Sequence, residues 1–181
     1  MRIICGKYKG RVLKGYTLKG TRPTMDRVKE SLFATISPYI NNSICLDLFA
    51  GSGALGIEAL SMGSKEVVFV DKEYMACKTI KTNLNYLDTN INATVLNMDY
   101  LKAIEKLYPK KFDIIFLDPP YKTDYLKKSL DKIEELNLIK DNTLIILESD
   151  DIKKLEFSDY YEEIKTKRYG DKYIRILKKK D

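Results

Sequence analysis

Asp47-Leu48-Phe49-Ala50-Gly51-Ser52-Gly53-Ala54-Leu55-Gly56 is the stretch that decides the fold of this chain. Gly51, Gly53 and Gly56 satisfy G-x-G-x-x-G between an apolar run that reads as a buried strand (43–49) and a helix that opens at 55–61 and runs to Gly63. Such a turn lets the backbone approach a ligand at a helix N-terminus, the binding geometry of adenosine cofactors on parallel sheets. Asp71, at the end of the next strand (66–70), lies about 20 residues on, where a carboxylate can take both ribose hydroxyls. Asp47 separates the two cofactor readings. A buried carboxylate four residues before the first glycine repels a pyrophosphate, which disfavours NAD, and suits the ammonium of a methionine moiety. Phe49, Ala50, Gly51 and Gly53 in the turn, with Lys72 after Asp71, complete the candidate cofactor contacts there.

Outward from this turn, short apolar runs alternate with longer amphipathic ones. Helices are expected over 72–87, 101–108 and 124–138, and strands over 93–96, 112–117 and 143–148. Segments 161–168 and 172–177 flank Tyr169-Gly170-Asp171 as an antiparallel hairpin. An earlier helix is expected over 23–36. The expected fold is α/β: one domain (1–181) with a doubly wound, Rossmann-like, mostly parallel seven-stranded sheet. Its last strand is antiparallel, and residues 1–21 form a basic N-terminal arm. Asp99 and Tyr100, after the third strand, fall on the same sheet edge as the glycine turn. There Asp99 can accept from an adenine amine with Met98 or Tyr100 against the ring, although an Asp in that place also caps helices.

Directly after the strand at 112–117 stands Asp118-Pro119-Pro120-Tyr121. The two prolines remove two backbone N–H donors, so the loop offers a carboxylate and carbonyls, acceptors only. Its natural guest is an amino group on an aromatic base, whose two hydrogens both need acceptors. Asp118 and the Pro119 carbonyl would take them, and Tyr121 would stack on the base. Bonding both hydrogens localises the nitrogen lone pair, so positioning before an electrophilic methyl does the rest. The base must first leave its stack.

Composition prunes the alternatives. The chain has no His, which excludes His general bases and His-ligated zinc, and its three scattered cysteines suggest neither disulfides nor a metal cluster. No apolar run approaches the ~20 residues of a membrane span, so a cytoplasmic monomer with no metal and no membrane partner is expected. The +6 formal charge is localised. Residues 1–30 hold nine Lys and Arg against two acids, and the rest of the chain sums to about zero. Lys7, Lys9, Arg11 and Arg27 are therefore candidate contacts to a polyanion, with Tyr8 and Tyr16 interleaved; a merely solvated basic surface is the other reading.

The chain resembles, along nearly its whole length, the bacterial 16S rRNA guanine-N2 methyltransferases of the RsmD group. The likeness is carried by Arg2-Ile3-Ile4-Cys5-Gly6-Lys7-Tyr8-Lys9-Gly10-Arg11, by Arg22-Pro23-Thr24-Met25-Asp26-Arg27, by the glycine turn, by Asp118–Tyr121 and by Arg168-Tyr169-Gly170-Asp171. It departs at Ala34, where that group often has Asn, and at Cys5, where a small residue such as Gly is usual. The resemblance implies a class I methyltransferase sheet, S-adenosylmethionine as cofactor, Arg22 and Thr24 beside its methionine end, and one guanine of 16S rRNA within the small ribosomal subunit as target. The Asp-Pro-Pro-Tyr and glycine motifs are shared with DNA adenine-N6 methyltransferases. A DNA enzyme, and a non-catalytic RNA-binding assembly factor on the same fold, are the rivals.

Overall fold

The computed structural model describes residues 1–15, 26–121 and 124–180. Its elements are α1 (Asp26–Ile40), β1 (Ile44–Asp47), α2 (Ala54–Ser61), β2 (Glu66–Asp71), α3 (Tyr74–Leu87), β3 (Ala93–Asn97), α4 (Tyr100–Leu107), β4 (Phe112–Leu117), α5 (Tyr125–Glu135), β5 (Ile139–Ser149), β6 (Tyr161–Tyr169) and β7 (Lys172–Lys179). The seven strands run in the order β3-β2-β1-β4-β5-β7-β6. Strands β1 to β5 are parallel, and β7 pairs antiparallel with both β5 and β6. This is the doubly wound, mostly parallel sheet that the alternating pattern predicts.

Period-two alternation sorts the central strands onto two cores. Cys45, Phe69, Ile114, Phe116, Ile146 and Ile174 face α1, α2 and α3. Leu46, Val68, Val70, Ile115, Leu147 and Leu177 face α4 and α5. Both faces are covered, which is why these strands read as continuous apolar runs rather than alternating ones.

Several boundaries differ from the sequence reading, each for a local reason. Helix α1 continues through Pro38 to Ile40 because Ile36 and Ile40 extend its buried stripe. The Ala34 carbonyl, which Pro38 cannot serve, accepts the Ser37 hydroxyl at 3.1 Å. Helix α5 stops at Glu135 because Asn137 takes a φ of +50°. That frees Leu138 to be buried and lets β5 begin early, with Ile139 opposite Phe112. Helix α2 ends at Ser61, two residues before Gly63.

The basic N-terminal segment folds back on itself and packs onto the core. Arg2 and Val12 form an antiparallel bridge, and Ile3, Tyr8 and Leu13 are buried in the α1–α3 core. Glu58 of α2 accepts the N–H groups of Ile4 and Cys5 at 2.8 and 2.6 Å, and Lys29 of α1 bonds Glu58 at 3.2 Å and the Arg2 carbonyl at 2.6 Å. Tyr8 is therefore a core residue and offers no open face to a base. Tyr16 lies outside the described residues.

Candidate active site

Parallel pairing brings the carboxyl ends of β1, β2 and β4 to one sheet edge. Asp47 lies opposite Phe69 and Phe116 in register, and Asp118 follows Leu117 at the end of β4. Asp47 is buried, and its Oδ2 accepts the Gly56 N–H at 2.9 Å. Burial pushes its carboxyl up to about 7, only partly offset by that bond and reinforced by the negative charge of Asp71.

Asp71 holds the glycine turn in place. Its Oδ2 accepts the Gly51 N–H at 2.8 Å and its Oδ1 the Glu73 N–H at 2.8 Å. Each oxygen keeps a lone pair, enough for two hydroxyl donors. The Ala50 N–H reaches the Val70 carbonyl at 2.9 Å, tying the turn to the sheet. Gly51 has a φ of +53°, and a Cβ there would meet nothing within 4 Å, so the outer side of the turn is open. At Gly56 a Cβ would come within 2.3 Å of the Phe69 ring, so that glycine serves helix–strand packing. An open cradle between two carboxylates, one buried and one at ribose distance in sequence, fits an adenosine cofactor with a cationic tail.

Other candidates sit as follows. Lys72 is exposed, with its carbonyl accepting from Asn97 Nδ2 at 2.9 Å. Asp99 caps α4, its Oδ1 accepting the Leu101 and Lys102 N–H groups at 2.9 and 3.4 Å; its Oδ2 faces no contact in that cap. Tyr100 is buried, its ring 5.1 Å from Phe49 and 4.7 Å from Tyr125, so it is committed to packing rather than left open to an adenine. Phe49, half-buried, is the aromatic of this cluster that sits in the cofactor turn. Arg22 and Thr24 lie outside the described residues. Arg27 is exposed on the first turn of α1.

In the Asp-Pro-Pro-Tyr loop, Asp118 and Tyr121 are half-buried, Pro119 is buried and Pro120 is exposed. Behind the loop stand two residues that the motif reading misses, Glu148 at the end of β5 and Lys172 at the start of β7. Both are buried and they form an ion pair. Tyr121 donates its hydroxyl to Glu148 Oε1 at 2.8 Å, Lys172 Nζ stands 5.5 Å from the centre of its ring, and Lys154 Nζ bonds its carbonyl. Tyr121 is thus fixed from both ends. Burial, then the negative charge of Glu148, holds the Asp118 carboxyl well above the ordinary carboxylate range; Lys172 acts the other way. The available sequence signal was positional, since Glu148 is a charged residue at the carboxyl end of a parallel strand, where ligands gather.

Among the described residues no group of His, Cys, Asp and Glu is placed to hold a metal, and no helix is long and apolar enough to cross a membrane. Cys45 is buried, with its thiol pushed up to about 12, chiefly by burial, which disfavours a thiolate.

Comparison with known proteins shows the family of the chain. The family model described as "Conserved hypothetical protein 95" matches residues 1–178. A candidate rRNA methyltransferase of Bacillus subtilis, YlbH, is 40% identical over 99% of this chain and 100% of its own. Ribosomal RNA small subunit methyltransferase D of Haemophilus influenzae is 39% identical over 94% of this chain and 89% of its own. The crystal structure of a candidate methylase from Haemophilus influenzae, HI0767, superposes with a TM-score of 0.84 at 35% identity, covering 99% of this chain and 98% of that one. The chain therefore belongs to the conserved hypothetical protein 95 family, the family of the RsmD-type methyltransferases.

Proposed function

We propose that this protein transfers the methyl group of S-adenosylmethionine to the exocyclic N2 amine of a guanine in 16S rRNA, acting as a monomer on the small ribosomal subunit. The observation that carries the reading is the meeting, at one sheet edge, of Asp47 and Asp71 around an open glycine turn with the Asp118-Pro119-Pro120 loop, whose two prolines carry no N–H. The names of the family's rRNA methyltransferases support RNA as substrate.

The cofactor, when bound, supplies an electrophilic sulfonium methyl. Asp47 would face its ammonium, and Asp71 with the Gly51 turn its ribose. Phe49 and the second oxygen of Asp99 would flank the adenine. The protein's own part is positioning. Asp118 Oδ and the Pro119 carbonyl accept the two amine hydrogens and aim the nitrogen lone pair, while Tyr121, held by Glu148, supports the unstacked base on the face away from Lys172. After transfer the nitrogen sheds one proton, to Asp118 or to water.

The test is transfer of radiolabelled methyl to small subunits lacking the modification, to naked 16S rRNA and to unmethylated DNA, followed by nucleoside identification. N2-methylguanosine in the rRNA is the expected product. N6-methyladenine in DNA would overturn the substrate, and no label on any of them would leave a binding module.

The buried Asp47 makes a signed pH prediction. Its folded pKa of about 7 exceeds its ordinary value of 3.8, so its contribution to stability is fully present below about pH 4 and lost as pH rises through about 7. Cofactor affinity should run the opposite way, rising across the same window as the carboxylate forms. Titration of S-adenosylhomocysteine binding by calorimetry at several pH values measures this, and Asp47→Asn should flatten the dependence. An Asn variant that kept the wild-type pH dependence would remove Asp47 from the ammonium site.

A further inference from the structure

The exposed lysines of α5 and those of the edge strand β6 have different partners. On α5 and just after β5 they meet carboxylates: Lys127 pairs with Asp131 at 2.7 Å, Lys128 with Asp124 at 2.8 Å, Lys132 with Glu135 at 3.0 Å and Lys154 with Asp150 at 2.9 Å. On the α1 side the edge strand β6 behaves otherwise. Lys165 Nζ donates to the Thr35 hydroxyl at 3.3 Å and Lys167 Nζ to the Ser31 hydroxyl at 3.1 Å. Lys167 also stands 5.0 Å from the centre of the Tyr169 ring, whose hydroxyl bonds Ser31 at 2.6 Å. These partners are neutral, so neither ammonium is compensated by them.

The placement of these two lysines follows from register. Lys165 and Lys167 lie opposite Ile176 and Ile174, which belong to the α1-side core, so both lysines project over α1. They stand two residues apart on one strand face, about 7 Å along it. Strand β6 climbs toward the catalytic edge, since its last residue, Tyr169, pairs with Lys172, and the next residue of β7, Tyr173, pairs with Ser149 at the end of β5. Helix α1 begins at that same edge, because it leads into the start of the parallel strand β1. Arg27 stands one turn before Ser31 on the exposed side of α1. Of the nearby carboxylates, Asp26 bonds Arg2 at 3.3 Å, Glu30 is exposed on α1, and Glu162 sits at the far end of β6, opposite Lys178.

We propose that Arg27, Lys165 and Lys167, with the hydroxyl of Ser31, form a phosphate track that carries the RNA backbone flanking the target nucleotide up the α1 face to the catalytic edge. The inference rests on the RNA reading above. Thr35 donates its hydroxyl proton to the Ser31 carbonyl at 3.0 Å and Tyr169 donates its own to Ser31 Oγ, so the Ser31 hydroxyl keeps its proton for a ligand. Cations beside such a donor suit phosphate oxygens, contacts that position a nucleic acid without reading its sequence.

The test compares Lys165→Gln/Lys167→Gln with Lys127→Gln/Lys128→Gln, which removes the same charge from the other side. Binding to naked 16S rRNA and to small subunits is measured by filter retention across a salt series, alongside steady-state methyl transfer. The β6 variant should reduce the slope of log affinity against log salt by about 2, roughly one per lost phosphate contact, and its loss of activity should fall on KM for RNA rather than on kcat. The α5 variant should leave the slope as in the wild type. An unchanged slope in the β6 variant, or an equal loss in both variants, would overturn the track. So would a loss confined to assembled subunits with naked RNA binding intact, because that pattern assigns the lysines to an acidic protein surface. Wild-type protein that binds RNA through these lysines yet transfers no methyl would instead sink the enzymatic reading and leave the track standing.

Discussion

Asp118→Ala lowers kcat for methyl transfer by about a hundredfold to a thousandfold while cofactor affinity stays near that of the wild type. The magnitude is that of removing one preorganised polar group from a reacting centre. The split follows from where the carboxylates sit. Asp118 closes β4 with a loop made of acceptors, while Asp47 and Asp71 bond the N–H groups of Gly56 and Gly51 around the cofactor turn. Asp71→Ala is the contrasting variant, because it frees the Gly51 and Glu73 N–H groups and removes the ribose acceptor together. It should lose cofactor affinity first. Thermal shift with S-adenosylhomocysteine, read beside single-turnover rates, separates the two. If Asp118→Ala weakened the cofactor as much as Asp71→Ala, Asp118 would belong to the cofactor site and the amine acceptor would have to be sought elsewhere.

Lys172→Met costs about 3–5 kcal/mol of stability, because it leaves Glu148 buried without its cation. For a domain of this size that is a fall in Tm of roughly 10 °C, read by calorimetry. The same change should also appear in catalysis. Lys172 offsets part of the upward push on the Asp118 carboxyl, so removing it raises that carboxyl further, and the rising limb of the pH–rate profile moves to higher pH. Glu148→Gln should move the limb the other way, since it removes a negative charge that raises Asp118. A destabilised variant with an unmoved limb would mean that the pair only supports packing. Opposite displacements in the two variants cannot arise from packing alone.

Much of this architecture was readable in order along the chain. The alternation of apolar runs gave the parallel strands because both sheet faces are covered, and the glycine turn announced itself through a strand before it and a helix after it. Asp47, Asp71 and Asp118 were legible as acids at strand ends. What could not be read was set by partners far away in sequence. Nothing near Tyr8 says that it is buried against Ser61 and Asp88, and a tyrosine among lysines looks like a stacking platform until α2 and α3 close over it. Glu148 and Lys172 read as ordinary strand termini, because their meaning depends on β7 returning antiparallel beside β5. Asp99 and Tyr100 illustrate competition: a helix cap and an aromatic cluster claim the groups that a cofactor reading assigns to adenine. Asn137 ended a helix that periodicity alone would have carried on to Leu138.

The seat of the N-terminal segment has a consequence for how the molecule is made. Its anchors come late: Tyr8 bonds Ser61 across 53 residues and Asp88 across 80, and Lys14 bonds Asn83 across 69. At a translation rate of about 5–20 residues per second, these residues are made several seconds before the helices that receive them. During that interval Ile3, Tyr8 and Leu13 stay in water beside a dense set of lysines and arginines. Those charges repel one another and the same segment of a neighbouring nascent chain, so they keep an apolar stretch soluble until its socket exists.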